Sequence, residues 1–553
     1  MALASFVGEA VSTWSLLCGL AALLLMWAAS HAAERYCLRP RRLGRALRAQ
    51  GLSGTAYRFP AGDFAENVRL SQEAQSQPMS PPCHDIVSRV LPHLHHTVME
   101  HGEVCITWFG PIPRVVIAKP ELVSQILSNK SGHFDKFTNN RLGELISRGI
   151  GSLDGEKWAT RRRILNPAFH LEKLKGMLPA FSTCCAEMVG RWESKLCAAG
   201  GSHELDVWQE FPDLAGDVIS RTAFGSSFEE GRRIFLLQVE QAERVMKAFQ
   251  YMYIPGYLFL PTENTKRMKV IKREVEGLLR GIIDKRELAM GDDDGGGDLL
   301  GLMLQSNRTS GSGQRMSTED VIEELKLFYF AGMETTAALL TWTLVVLGMH
   351  PEWQERAREE VLGVFGSDDT PSFDGLSRLK TASPSSCKNS PVRLSPAIAN
   401  YIHPNSLPII QVTMILNEVL RLYPPAVTMN RKTSKETQIG GITYPADVVL
   451  EMPIILLHHS PDLWGDDVLE FKPERFAEGI SKATKDGQPG FFPFGWGSRI
   501  CIGQNFTLLE AKMALTMILQ QFEWWLSPSY AHAPCTVLTL QPQHGAQIIL
   551  KSR

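Results

Sequence analysis

The sequence predicts a mainly α-helical protein with a minor β-sheet component, preceded by one transmembrane helix. Its 553 residues are 44% hydrophobic and 21% charged, which supplies a large core and excludes a disordered chain. After Val87, apolar residues recur at helical spacing through most of the chain, with a few short strand-like stretches between them. A net charge of −2 shows no global excess of basic residues, so we expect no nucleic-acid partner.

Residues 11–30 carry no charge and predict a transmembrane anchor. A helix of about 20 residues, rising about 1.5 Å per residue, spans a bilayer core of roughly 30 Å. A cleaved signal peptide is the alternative, but it needs a basic N-terminal region, and the only charge before this run is Glu9. Six arginines follow within residues 35–48. Because positive charge stays in the cytosol, we expect a single-pass protein of the endoplasmic reticulum membrane with its body in the cytosol.

The rest of the chain divides into a connecting region and one large domain. Residues 31–82 predict a linker and membrane-proximal region, because much of this stretch is rich in Arg, Gly, Gln, Ser and Pro. Residues 83–553 form the predicted catalytic domain. Within it, Val104–Phe109 and Arg114–Ala118 are typical of a hairpin, and Thr318–Leu347 predicts a long apolar helix.

One segment of this domain departs from the helical pattern. Residues 381–411 are rich in Ser, Pro and Asn and show little periodicity. They separate Leu379 from the helical stretch that begins at Val412. The family resemblance carried by the motifs below implies that this segment is an atypical insertion, either derived from a retained intron or gained recently, and we expect it to form an unpacked surface loop.

The most informative stretch surrounds Cys501. Phe491–Gly503 is a glycine-rich loop, and a helical pattern follows it over Asn505–Leu519. Glycines let the backbone turn so that amide groups point at the sulfur, and the start of a helix favours its anionic form. Phe494 is placed to exclude water beside the sulfur, and Arg499 to reach an anionic group of a cofactor. A structural cysteine or a simple nucleophile is the alternative for a cysteine in such a turn.

The complete pattern FxxGxRxCxG resembles the haem-binding signature of the cytochrome P450 superfamily. The resemblance extends over essentially the whole chain after the anchor and is strongest to plant clan 72 and its 72A subfamily, as in WATRRRILNPAFHLEKLK from Trp158 and FYFAGMETT from Phe328. It implies the cytochrome P450 fold, a helix-rich haem-thiolate domain with a small N-terminal β region. It also implies that Cys501 is the axial ligand of the iron of haem b, a thiolate that pushes electron density towards the metal. Ser498 stands where many members carry Pro, a departure that leaves this ligand in place.

Glu418 and Arg421 form an ExxR motif on a predicted helix, where a spacing of three residues puts both side chains on one face. A solvated surface ion pair is the alternative for this motif alone. The resemblance implies that Glu418, Arg421 and Arg475 form a buried structural triad. Because an unpaired buried charge is costly, losing one member should harm folding or haem retention more than chemistry.

Glu334 and Thr335 lie in the middle of the long apolar helix. They are either incidental helix residues or polar groups placed there for a reason, since burying them without partners costs free energy. The resemblance implies that they are catalytic. Thr335 would hydrogen-bond dioxygen or its water, and Glu334 would help to deliver protons.

Trp158 and Arg162 are one helical turn apart, so that both can reach one haem propionate. Arg431 and Arg499 are the further candidates for propionate contacts, because the planar fork of arginine bonds carboxylates in a bidentate way. The alternative is an ordinary basic helix face. On that face we also expect a docking surface for an acidic reductase, formed by Lys157, Arg161 and Arg163.

The resemblance implies an apolar distal pocket for the substrate. The candidates by position, each with ordinary core packing as its alternative, are Phe328, Ala331, Val427, Thr428 and Met429.

These marks together predict a membrane-bound monooxygenase. It would oxidise an apolar small molecule, such as a terpenoid, a plant hormone or a xenobiotic, with O2. Electrons would come from NADPH through a separate NADPH–cytochrome P450 reductase, since the chain shows no dinucleotide-binding fingerprint. A haem-thiolate isomerase or dehydratase that needs no O2 is the alternative among enzymes, although Glu334 and Thr335 argue against it. A non-catalytic haem sensor is the alternative outside enzymes.

Overall fold

The computed structural model describes most of the chain. The described residues are 2–80, 82–129, 132–137, 142–225, 228–251, 254, 256–289, 298–309, 316–367, 369–378 and 411–553. The predicted insertion at 381–411 therefore lies outside the described residues, with the exception of Gln411.

Helices make up most of the described chain, which confirms the predicted fold class. In chain order they are α1 (Ala2–Ala33), α2 (Arg39–Arg48), α3 (Phe64–Gln75), α4 (Val87–Val90), α5 (Pro92–His101), α6 (Pro120–Ser128), α7 (Gly143–Ile146), α8 (Gly155–Leu165), α9 (Leu171–Ala198), α10 (Val207–Phe224), α11 (Phe228–Phe249), α12 (Glu263–Ala289), α13 (Leu299–Thr309), α14 (Thr318–Met349), α15 (Pro351–Phe365), α16 (Phe373–Arg378), α17 (Gln411–Leu422), α18 (Ile454–His458), α19 (Pro461–Trp464) and α20 (Gln504–Gln521).

The strands are short and form small sheets at the edges of the helical body. They are β1 (Val104–Phe109), β2 (Ile112–Ile117), β3 (Phe134–Asp135), β4 (Ser202–Asp206), β5 (Met429–Thr433), β6 (Thr437–Ile439), β7 (Ile442–Tyr444), β8 (Val449–Met452), β9 (Phe522–Leu526), β10 (Pro534–Thr536), β11 (Leu540–Pro542) and β12 (Gln547–Ser552). The largest sheet has the order β1-β2-β8-β5-β3, and its β1–β2 hairpin pairs Val104 with Ile117 as the sequence predicts. The other sheets are β4-β12-β9, β6-β7 and β10-β11.

The N-terminal helix α1 contains the predicted span. Its residues 16–33 are all exposed, including the large apolar side chains of Trp27 and Leu25, and the helix is long and apolar enough to cross a membrane. Such an apolar, uncharged and exposed surface is typical of a segment that lies in lipid. The helix α14 is similarly long and apolar, but it is mostly buried within the protein and is a core helix.

The predicted linker at 31–82 differs from a flexible connection, because parts of it pack on the domain. Leu47 on α2 is fully buried, and Gly54 forms a β-bridge with Ile106. Asp63, just before α3, accepts a hydrogen bond from the backbone N–H of Trp108 at 2.8 Å. Composition predicts solvated chain here, whereas a few apolar and polar contacts with β1 hold this stretch against the sheet.

The long helix α14 forms the centre of the domain. It begins with a capping box, in which Ser317 and Asp320 each accept a hydrogen bond from the backbone N–H of the other. Every residue over 337–347 is fully buried, so this half of the helix is surrounded by other elements. The first half carries Glu334 and Thr335, and its central position brings these residues close to several elements at once.

The helix α17, which carries Glu418 and Arg421, begins at Gln411. The carboxylate of Glu360, on α15, accepts hydrogen bonds from the backbone N–H groups of Gln411 at 3.1 Å and Val412 at 3.0 Å. These bonds satisfy two of the N–H groups that a helix start leaves without partners. Gln411 is therefore part of the helix rather than of the predicted insertion.

Candidate active site

The loop around Cys501 closes on itself through its backbone. The N–H group of Cys501 donates to the carbonyl of Phe494 at 2.8 Å. Gly497 has φ of 72°, and a Cβ atom there would come within 2.5 Å of the carbonyl oxygen of Leu127, so only glycine fits. The loop is thus held against the end of α6, and the sulfur has a defined position immediately before α20.

Cys501 is exposed as a residue, whereas its thiol group lies well inside the body of the protein. Burial raises the pKa of the thiol, and the backbone N–H groups of Gly503 and Gln504 at the start of α20 oppose that rise by hydrogen bonding. The positive charges of Arg162 and Lys136 also lower the pKa of this thiol. The surroundings therefore supply the donors that a thiolate ligand needs, as the glycine-rich pattern predicts.

Cations gather beside this loop. Arg162 donates to the carbonyl of Ile500 at 2.9 Å, and Arg499 forms an ion pair with Asp154 at 2.7 Å and lies over the indole ring of Trp158, 4.4 Å from its centroid. The structure brings Trp158, Arg162 and Arg499 together, and the guanidinium of Arg499 stacks on the face of the Trp158 indole.

Arg431, on β5, and Lys136 complete this group of cations. Burial lowers the pKa of Arg431 to about 10, and the charge of Arg499 adds to the effect. Burial also lowers the pKa of Lys136 to about 7, with further contributions from Arg431 and Arg499. Sequence reasoning missed Lys136, because FDK around it matches no motif and only the fold brings it to the cysteine loop.

This cation cluster fits a ligand that carries carboxylates. It contains Lys136, Arg162, Arg431 and Arg499, and the described groups that contribute opposing charge to it are Asp135, Asp154 and the Cys501 thiolate. Buried cations are costly unless anions pair with them. A haem offers two propionates to the cations and an iron to the sulfur, so this donor set fits haem on both counts.

The helix α14 meets α20 just after the cysteine loop. The hydroxyl of Thr336 donates to that of Thr507 at 3.5 Å, and Thr507 lies in the first turn of α20. This contact brings the Ala331–Thr336 segment towards Cys501. The hydroxyl of Thr335 donates to the carbonyl of Ala331 at 2.7 Å, which leaves the lone pairs of its oxygen as acceptors. The helix is continuous through this segment.

Glu334 points towards the C-terminal β10–β11 hairpin. Its Oε1 atom accepts hydrogen bonds from the hydroxyl of Thr539 at 2.8 Å and from the amide of Gln541 at 3.3 Å. Burial raises the pKa of this carboxyl, and the Thr539 hydroxyl partly opposes the rise. Sequence reasoning missed Thr539 and Gln541, since they lie about 200 positions after their partner.

Glu418, Arg421 and Arg475 come together at one buried point. Both oxygens of Glu418 accept bonds from Arg421, at 2.7 and 2.8 Å, and Arg475 lies 3.4 Å from the same carboxylate. Glu418 and Arg421 are fully buried. Arg421 also donates to the carbonyls of His458 and Val468, at 2.9 and 2.8 Å, so its donors are used within the protein.

The predicted substrate contacts divide into different surroundings. Phe328 is buried and its ring stacks on Phe169 at 5.6 Å between centroids, a contact that favours core packing. The half-buried Ala331 offers its carbonyl to Thr335, as described above. Val427 is buried and its carbonyl accepts from Ile455, Thr428 is half-buried, and Met429 lies beside Gly495 of the cysteine loop.

The predicted docking face loses one of its members. Arg161 is half-buried and pairs with Asp320 at 2.9 Å and with Glu324 at 3.5 Å, both on α14. Lys157 and Arg163 are exposed. Including Arg161 was wrong, because a side chain at position 161 points from α8 towards acids that no local pattern reveals.

The comparisons with known proteins agree with this geometry. The cytochrome P450 family model matches residues 85–383 and 405–549. The chain belongs to the cytochrome P450 family. The prediction made from the cysteine signature and from the fold class is therefore confirmed, and the family's haem cofactor and use of O2 come with it. The family match leaves out residues 384–404, which lie within the predicted insertion.

Relatives within the cytochrome P450 family cover nearly the whole chain. Cytochrome P450 CYP72A616 of Paris polyphylla is 54% identical, over 97% of this chain and 98% of the relative. The 11-oxo-beta-amyrin 30-oxidase of Glycyrrhiza uralensis is 47% identical, over 97% and 98%. Secologanin synthase 1 of Catharanthus roseus is 44% identical, over 93% of each. The predicted likeness to the 72A subfamily is confirmed, and the chain is a cytochrome P450 monooxygenase by family.

Proposed function

We propose that this cytochrome P450 oxidises a terpenoid in the endoplasmic reticulum membrane, with its catalytic domain in the cytosol. A plant hormone and a xenobiotic are the alternative substrates within the same class of apolar small molecules. Electrons come from NADPH through a separate NADPH–cytochrome P450 reductase. The observation that carries the proposal is that α14, which bears the acid–alcohol pair Glu334 and Thr335, contacts the first turn of α20, the helix that follows the cysteine loop, through Thr336 and Thr507.

Haem, when bound, supplies the iron at which O2 is activated for insertion into the substrate. Cys501 would hold the iron, and the buried cations Lys136, Arg162, Arg431 and Arg499 would hold the propionates. The ring of Phe494 is half-buried beside the loop and would help to exclude water from the sulfur.

Thr335 and Glu334, on α14, would deliver protons to the reaction. The Thr335 hydroxyl already donates to Ala331, so its oxygen can accept a bond from a water molecule. Glu334 is a buried carboxyl with neutral donors, which can take up and release a proton more readily than a carboxylate paired with arginine.

Two features support the terpenoid class. One relative is named for oxidation of 11-oxo-beta-amyrin and another for synthesis of secologanin, so related chains act on such skeletons. The segments that would line the pocket, α14 and the stretch after α17, are also largely apolar in this chain. An apolar wall suits a hydrocarbon skeleton because burial removes its surface from water.

The test is product formation by microsomes that contain the full chain and a NADPH–cytochrome P450 reductase. We expect a panel with 11-oxo-β-amyrin and related terpenoids to yield a product with one added oxygen atom, labelled when ¹⁸O₂ is supplied. Cys501→Ala should lose both this product and the carbon monoxide spectrum of the thiolate-bound haem. A product that forms without O2 would instead assign the chain to isomerases or dehydratases, and haem binding without any product would favour a sensor.

Reduction by the partner has its own test at the exposed basic residues of α8. Charge reversal by Lys157→Glu and Arg163→Glu should slow reduction of the haem about threefold at low salt, with the difference vanishing at high salt. Lys435→Glu, an exposed lysine on the loop after β5, serves as the control. Reduction rates and salt dependence that stay unchanged in the α8 variants would exclude this docking face.

A further inference from the structure

The β10–β11 hairpin is attached through Leu540 to α14 and to the stretch after α17. The indole N–H of Trp342, on α14, donates to the carbonyl of Leu540 at 2.9 Å, and the N–H of Leu540 donates to the carbonyl of Pro425 at 3.0 Å. Trp342 and Leu540 are fully buried. One hairpin residue is thus fixed both to the central helix and to the stretch after α17 that leads to the predicted substrate contacts.

The residues on either side of Leu540 point at one acid. Thr539 is the last residue of the turn and Gln541 lies on β11, and both side chains project towards α14, whereas Leu540 between them is fully buried. Their donors reach the same oxygen, Oε1 of Glu334, at 2.8 and 3.3 Å. Among the described residues none donates to Oε2, so the two oxygens of this carboxyl have different surroundings.

The donors are neutral, and this matters for the proton. A carboxylate paired with a guanidinium stays ionised, whereas neutral donors hold its orientation and stabilise the charge only moderately. Burial and the Thr539 bond are the two causes acting on the pKa of the Glu334 carboxyl, and no charged side chain of the described residues is among them. The hairpin thus orients the acid without committing it to one protonation state.

We infer that Thr539 and Gln541 are positioning residues of this enzyme, which hold Glu334 by Oε1 and leave Oε2 to take up and release a proton. The inference deepens the proposed function and rests on it for the use of that proton. The hold itself is a property of the carboxyl and can be measured without turnover.

The first measurement is infrared titration of the Glu334 carboxyl in the full-length, haem-loaded protein, with the band assigned by its absence in Glu334→Gln. Thr539→Val removes the donor at nearly constant shape and should raise the pKa of the carboxyl by about one unit, a tenfold change in the protonation equilibrium. Thr539→Ser keeps a hydroxyl and should restore the original value.

The matched control is Thr536→Val in the same hairpin. Thr536 also carries a buried hydroxyl, but this hydroxyl has no partner among the described residues, so its removal should leave the Glu334 band unchanged. Gln541→Met is the second variant if Thr539→Val does not fold. It should give a smaller shift in the same direction, because the Gln541 bond is longer.

The second measurement is the share of consumed O2 that is released as hydrogen peroxide, with NADPH and the reductase and without added substrate. We expect this share to rise about threefold in Thr539→Val and not in Thr536→Val, since badly timed proton delivery releases reduced oxygen early. An unshifted carboxyl in Thr539→Val overturns the inference whatever the oxygen balance. If the carboxyl shifts in Thr539→Val but the wild-type protein consumes no O2, the proposed function is overturned and the positioning role remains.

Discussion

The region around Glu418 on α17 and the centre of α14 around Glu334 each bury a glutamate, but they surround its carboxyl with different kinds of donor. Glu418 is fully buried and accepts three charged or backbone donors, namely Arg421 on both oxygens and the N–H of Lys472 at 3.0 Å. Glu334 is nearly as buried, but among the described residues its donors are the neutral side chains of Thr539 and Gln541, both on one oxygen.

This difference separates a carboxylate that braces the fold from an acid that can exchange a proton. A buried group stays charged when the geometry and the number of its partners offset the lost hydration, and those partners then hold the side chain in place. With fewer and neutral partners the charged and neutral forms come closer in free energy. The four predictions below test this contrast, beginning with the largest expected effect and ending with the smallest.

Breaking the Glu418 cluster should unfold the protein or prevent haem uptake. Glu418→Ala leaves Arg421 buried without its partner, which costs about 3–5 kcal/mol. Thermal unfolding and the carbon monoxide spectrum measure the loss. The control is Glu478→Ala, which removes an exposed partner of Lys482 at 2.9 Å and should leave both readouts unchanged. Normal haem content in Glu418→Ala would remove the distinction between the two regions.

The cation cluster differs from the Glu418 cluster in that the negative charge that would neutralise it comes from a bound ligand, the haem propionates. Lys136→Met and Arg431→Met should each release haem about tenfold faster, since one charge-assisted contact contributes about 1.5 kcal/mol. Transfer of haem to an acceptor globin measures the rate. Lys435→Met, an exposed lysine after β5, should match the wild type. Equal rates in all these proteins would show that the cluster does not hold the propionates.

A third buried glutamate, Glu324, lies near the start of α14. It is 1% exposed and accepts from the N–H of Ile150 at 2.8 Å, and burial raises its pKa from 4.5 to about 7. Between about pH 4.5 and 7 the folded state therefore holds a proton that the unfolded state has lost, so the free energy of unfolding falls as pH rises through this window.

The Glu324→Gln variant cannot titrate at this position. Relative to it, the wild type should lose about 3 kcal/mol of unfolding free energy from about pH 4.5 to about pH 8, most of it below pH 7, with little further loss above. Calorimetric melting curves across this range provide the measurement. Parallel pH profiles for the two proteins would contradict the raised pKa of Glu324.

The smallest effect is expected from removing residues 384–404, which the family match leaves out. Glu360 holds the N–H groups of Gln411 and Val412, so the start of α17 has its own attachment. Deletion, or replacement by a Gly/Ser stretch of equal length, should leave haem content unchanged and shift stability by less than about 0.5 kcal/mol. A sharp loss of haem would mean that the segment supports the helix that carries Glu418, and would refute the predicted surface loop.

Several features were predictable because they depend on short spacings. The anchor needs only a charge-free run of sufficient length, and the two residues of the ExxR motif share a helix face at any position in a fold. The glycine-rich turn around Cys501 likewise sets its own backbone geometry. These patterns led to the family and to the fold class, which the comparisons confirm.

Other features depended on elements that are far apart in the chain. The attachment of Leu47 and Asp63 to the domain, the pairing of Arg161 with α14 and the arrival of Lys136 at the cation cluster follow from no local period.

The amino-acid sequence by itself determined that this chain has an apolar N-terminal helix, a glycine-rich loop around Cys501 and an acid–alcohol pair on a long apolar helix. Tertiary structure alone decided which partners those groups meet, above all the neutral donors on Glu334. The physical reason is that hydrogen bonds and burial act over a few ångströms in space, so they depend on which segments pack together rather than on how far apart their residues lie in the chain.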